Sequence, residues 1–100
     1  GISGSGPAYV FYFMQSMLAA AKKMGFSDND SKVLVSMTFE GAVKLFNESD
    51  ITPLKWMDRV ASKGGTTRAA LDSMKDNNVE KLIEEAAYAA FDRAVELGEE

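Results

Sequence analysis

Apolar residues recur at three- and four-residue steps along nearly the whole chain, and no stretch alternates apolar with polar positions as a strand would. The pattern predicts five helices. The first opens at Pro7, which suits the first helical position because its missing N–H has no partner there anyway, and runs to Met24. One of its faces carries Val10, Met14, Met17, Leu18 and Ala21, another carries Tyr9, Phe13, Ser16 and Ala20, and Phe11 and Tyr12 lie besides. Gly25 marks its end. Ser27-Asp28-Asn29-Asp30 then resembles a capping box, with Asp in place of the usual Glu. A second helix over 28–49 follows, through Val33, Leu34, Met37, Thr38, Leu45 and Phe46, with Gly41 and Ala42 leaving room for a close neighbour. Thr52-Pro53 starts a short third helix over 53–61, and Ser62-Lys63-Gly64-Gly65 breaks it. The fourth spans 66–75. The last, over 78–97, is announced by Asn77 with Glu80 three residues on, and it carries a sustained apolar stripe from Val79 to Val95. The expected class is all-α, with residues 1–100 as one helical domain.

A helix that is apolar nearly all round must be covered nearly all round, and a chain of 100 residues has little material to cover it. The excess points to a helical homodimer whose core is shared between chains. The uncharged run before Lys22 has other readings, which fit less well. A signal peptide needs a basic start, and a membrane span needs about 20 apolar residues, whereas this run contains Gln15 and Ser16. No membrane partner is expected, and the chain reads as a piece of a longer cytoplasmic protein.

Charge and composition narrow the chemistry. A formal net charge of −4 argues against nucleic acid as a partner. The chain contains neither Cys nor His, which removes thiol nucleophiles, Ser-His-Asp triads and Cys/His metal sites. No metal is expected. The carboxylates of the last helix read as a solvated face, and the methionines as packing. Yet Lys55, Arg59, Lys63, Arg68 and Lys75 face only Asp58 and Asp72 in their stretch, a local excess of positive charge in an acidic chain.

That stretch holds the constellation Val60-Ala61-Ser62-Lys63-Gly64-Gly65-Thr66-Thr67-Arg68. Two glycines leave backbone N–H groups uncovered, and the helix start that follows points further donors and the positive end of its dipole the same way. Ser62, Thr66 and Thr67 add hydroxyls. A carboxylate or a phosphate would suit such a nest. A tight helix–helix turn with Thr66 as N-cap uses the same residues, and the spacing alone leaves both open. The P-loop spacing is missing.

Ser3-Gly4-Ser5-Gly6-Pro7-Ala8-Tyr9 ahead of a long helix, followed by Val60 to Thr67 and then Ala70-Leu71, resembles the C-terminal domain of pyrroline-5-carboxylate reductase along all 100 residues. Lys63 stands where proline is frequent in that family, Ala61 where Thr or Cys is common, and Trp56 where a smaller aliphatic residue is usual; none of these lies in the Gly-Gly-x-Thr core. The resemblance implies a five-helix domain of the 6-phosphogluconate dehydrogenase C-terminal type in an interdigitated homodimer, with a separate N-terminal Rossmann domain binding NADP or NAD. It implies reduction of 1-pyrroline-5-carboxylate to L-proline, the last step of proline biosynthesis. Ser62, Gly64, Gly65, Thr66 and Thr67 would then bind substrate, the N–H groups and the Ser62 hydroxyl holding its carboxylate. Thr67 would be the catalytic position, its hydroxyl bonded to the ring nitrogen. Ser5 and Gly6 would join the two domains, and the isolated chain would be inactive. Two other classes compete: a stand-alone helical dimerisation module, and a small anion-binding domain without catalysis.

Overall fold

A computed structural model describes residues 2–62 and 65–98, which form five α-helices: α1 (Ile2–Lys23), α2 (Asp28–Glu48), α3 (Pro53–Ala61), α4 (Gly65–Asp76) and α5 (Val79–Glu96). Among the described residues there is no strand. The all-α expectation is met. The chain divides into two compact units, residues 6–50 and residues 1–5 with 51–100.

The helix ends follow local chemistry, with three departures from the sequence reading. α1 starts at Ile2, ahead of Pro7, which therefore lies inside the helix. A proline this close to a helix start removes a single ladder bond, the one to the Ser3 carbonyl, so the turn before it still forms. The unit boundary falls at the same place, between Ser5 and Gly6. At its other end α1 closes in a Schellman motif: the Gly25 N–H donates to the Lys22 carbonyl and the Phe26 N–H to the Ala21 carbonyl, both at 3.1 Å. Gly25 has φ +105, a conformation that L side chains rarely adopt.

Ser27 caps α2, its Oγ accepting the Asp30 N–H at 3.0 Å, and Thr52 caps α3 by accepting the Lys55 N–H at 3.3 Å. The second departure concerns Asn77, expected to cap α5. Instead its side-chain amide reaches back and donates to the Ser73 carbonyl at 2.8 Å, closing α4. Asn78 occupies the N-cap of α5 at φ 56, without a side-chain cap bond. Asparagine tolerates this left-handed conformation better than most residues, and the two-residue connection requires it. The third departure is Thr66. Helix α4 is already helical at Gly65, so Thr66 lies within the first turn and is not the cap.

In the first unit, the short connection after α1 makes α1 and α2 an antiparallel hairpin. Phe13 and Phe39 meet edge to face across it with ring centroids 5.5 Å apart, and Lys22 pairs with Asp28 at 3.1 Å beside the loop. Ser31, near that loop, is wholly buried, and its Oγ has no hydrogen-bond partner among the described residues. In the second unit α3 packs on α4 and α4 on α5.

What these units lack is an interior. Val35 and Ala61 are the buried apolar residues among those described, while Phe11, Tyr12, Met37, Leu54 and Tyr88 are each more than 60% exposed. The chain exposes 8210 Å². A compact protein of 10.9 kDa would expose about 5,600 Å², and even two separate bodies of half that mass only about 6,700 Å². Many large apolar side chains on every helix contribute to that exposed area.

The Gly25 turn provides a test of local strain. Gly25→Ala forces a side chain into a positive-φ position and is expected to destabilise the chain by about 1 kcal/mol. Urea unfolding at fixed protein concentration measures it; a midpoint at or above that of the parent chain would contradict the reading.

Candidate functional site

The α3–α4 turn is where the sequence places chemistry. Lys63 and Gly64 lie outside the described residues, so the structure is stated for Ser62 on one side and for Gly65, Thr66 and Thr67 on the other. The turn brings these together at the point where one helix ends and the next begins. Since α4 starts at Gly65, the N–H groups of Gly65, Thr66 and Thr67 precede the first intrahelical bond and have no acceptor within the helix. They are donors aimed along the axis, with the positive end of the α4 dipole behind them. Thr66 is exposed and Thr67 half-buried. Neither hydroxyl makes a hydrogen bond among the described residues. An anion meeting this end would find backbone donors and two hydroxyls.

Ser62 is engaged differently. It is the C-cap of α3, its N–H bonded to the Asp58 and Val60 carbonyls and its Oγ donating to the Arg59 carbonyl at 2.8 Å. With that proton committed, the hydroxyl has only lone pairs to offer, and a carboxylate needs a donor. The Ser62 hydroxyl could donate to an anion only by releasing the Arg59 carbonyl.

The cations around the turn are partly occupied as well. Arg68 of α4 reaches Asp58 of α3 at 4.0 Å, an exposed pair worth little to stability that nonetheless points the guanidinium back along α3. Arg59 lies over the Trp56 ring at 5.3 Å from its centroid. Asp58 and Trp56 were not picked out as partners from the sequence. The Trp56–Arg59 pair had a visible signal in its three-residue helical spacing, whereas the Asp58–Arg68 pair needs the turn between two helices. No group of three or more acidic residues that could hold a metal ion occurs among the described residues. Nor is any described helix long and apolar enough to cross a membrane.

Tyr9 and Tyr12, expected in a core or an interface, differ in environment. Tyr12 is 79% exposed, whereas the Tyr9 hydroxyl is buried without a hydrogen-bond partner among the described residues. Both lie in α1, away in sequence from the turn.

Comparison with known proteins agrees with the resemblance. The chain is 41% identical over 99 residues to a pyrroline-5-carboxylate reductase of Pseudomonas aeruginosa and 34% identical over 99 residues to pyrroline-5-carboxylate reductase 2 of Bacillus subtilis. In each case the match covers 99% of this chain but 36% of the relative, so the chain spans about a third of the length of these proteins. Among solved structures, the Plasmodium falciparum pyrroline carboxylate reductase with NADP bound superposes with a TM-score of 0.89 at 36% identity, over 93% of this chain and 38% of that one. The family described as pyrroline-5-carboxylate reductase dimerisation matches residues 1–97, and the chain, whose helices expose many of their apolar side chains, belongs to that family.

Proposed function

We propose that this domain is the self-associating, substrate-holding part of an enzyme that reduces 1-pyrroline-5-carboxylate to L-proline, working as a homodimer in the cytoplasm at the last step of proline biosynthesis. The observation that carries the binding role is the unpaired donor set at the start of α4. The Gly65, Thr66 and Thr67 N–H groups suit the substrate carboxylate. The Thr67 hydroxyl, half-buried at the same end, would bond the ring nitrogen and hold the C=N bond in one orientation. An unperturbed hydroxyl is too weak an acid to protonate an amine outright, so its work is positioning and polarisation. Ser62 contributes to the carboxylate site if substrate displaces its bond to Arg59.

Nothing among the described residues fits a dinucleotide, since that cradle is built from a strand, a glycine-rich turn and a helix, and no strand is present among them. NADPH or NADH, held by a Rossmann domain elsewhere in the enzyme, would supply the hydride. What this chain supplies is a fixed address for the substrate and the contact that pairs two subunits.

Two measurements test these roles. Sedimentation at micromolar concentration should give a dimer of this chain, and a clean monomer would remove the self-association role. In the full-length reductase, Thr67→Ala should lower kcat/KM about 10- to 100-fold while Thr67→Ser keeps most of it, because the second variant retains the hydroxyl. Equal rates for both variants and the parent would remove Thr67 from the site. A domain that binds anions without catalysis predicts a third pattern, in which backbone amides of Gly65 and Thr67 shift with phosphate and not with L-proline in NMR titrations.

A further inference from the structure

Two side chains of opposite charge bracket the start of α4, and neither belongs to the donor set described above. Asp58 lies in the last turn of α3, and Arg68 in the first turn of α4, one residue beyond Thr67. Side chains on a helix tilt toward its N-terminus, so a long one at the fourth position lies over the end where the Gly65, Thr66 and Thr67 N–H groups are free. Arg68 follows this rule. Its guanidinium reaches from α4 to Asp58 of α3, with Nη2 4.0 Å from Oδ1. That separation is too long for a hydrogen bond, and both side chains are more than half exposed. Among the described residues Asp58 is the one partner of Arg68, so the guanidinium N–H groups still lack a close acceptor. A pair this exposed adds little to stability, and trading Asp58 for another carboxylate costs correspondingly little.

The neighbouring arginine is placed differently. Arg59 lies over the Trp56 ring, 5.3 Å from its centroid, against the preceding turn of its own helix. Its backbone carbonyl, not its guanidinium, is what Ser62 meets. A carboxylate settling on the α4 donors therefore finds one guanidinium able to turn to it and one carboxylate opposing it. We infer that Arg68 and Asp58 set the affinity of this turn for its anionic substrate: Arg68 exchanges Asp58 for the substrate carboxylate, and Asp58 competes for the same guanidinium. Arg68 is then a binding residue with the forked donors that suit a carboxylate, and Asp58 acts through it. The competition has a use. The product, L-proline, carries the same carboxylate as the substrate, and Asp58 offers the guanidinium a partner to return to as product leaves. Neither side chain is asked to act on the imine, so the pair governs capture and release and leaves the chemical step alone.

This inference rests on the substrate reading proposed above, and its test separates the two. In the full-length reductase, Arg68→Gln should raise KM for 1-pyrroline-5-carboxylate about fivefold with kcat little changed, whereas Arg68→Lys, which keeps the charge, should lose less. Asp58→Asn should do the reverse and lower KM about two- to threefold, because the guanidinium no longer has to be taken from a competitor. Both shifts should shrink as salt is raised. A tie that only holds the turn together predicts one direction for both variants, since either substitution breaks it. That result overturns the inference, as does an unchanged KM in both, or a loss confined to kcat. Thermal melting followed by circular dichroism should give the same midpoint for all variants and the parent; an early midpoint for either single variant makes the pair structural and overturns the inference as well. If Thr67→Ala is without effect while the two charge variants move KM in opposite directions, the role proposed for Thr67 fails and this inference stands. A full-length parent that does not reduce 1-pyrroline-5-carboxylate overturns both.

Discussion

Everything in this protein depends on apolar helix surface that its own chain leaves uncovered. Fixing a residue's backbone costs about 1–2 kcal/mol in conformational entropy, and the main compensation is burial of apolar area. With Val35 and Ala61 as the buried apolar residues among those described, a single copy obtains little of it. The helices are locally well specified by their caps and turns, yet caps contribute about 1 kcal/mol each and cannot replace a core. The proposed self-association would then be part of folding for this domain, which belongs to a family described by dimerisation.

The same constraint explains how a site arises in so small a domain. Helix α3 ends at Ala61, α4 begins at Gly65 and the two pack together, which puts one helix start close to another helix end. Gly65 begins α4 without a side chain to shield its N–H, so the donors of the first turn stay available. Ser62 and Arg68 secure the turn from either side, through the Arg59 carbonyl and the Asp58 carboxylate. A turn built for packing thus carries donors that a carboxylate can use.

The helix-forming pattern and the α3–α4 motif were both legible in the sequence, because helical periodicity and glycine-threonine spacing are local properties. Ser27 and Thr52 were readable as caps for the same reason, being side chains that bond backbone groups within one turn. Where the reading of the ends failed, two local options competed. Asn77 could bond forward or backward and bonded backward to Ser73; Pro7 could open a helix or sit inside one, and the turn before it formed. The Arg68–Asp58 pair was invisible to spacing, since its members lie ten residues apart on two different helices.

By itself, then, the sequence determined the all-α class and the number of helices, since each follows from interactions within a few positions. Its apolar excess raised the expectation of a partner chain. The tertiary structure decided how that excess is distributed: two compact units, a hairpin with an open basic-rimmed groove, and an acidic helix with its apolar residues exposed. It also decided that the Ser62 hydroxyl is committed to its own helix. Those outcomes depend on how helices distant in sequence pack, and packing is set by whole faces meeting in space, which no local spacing records.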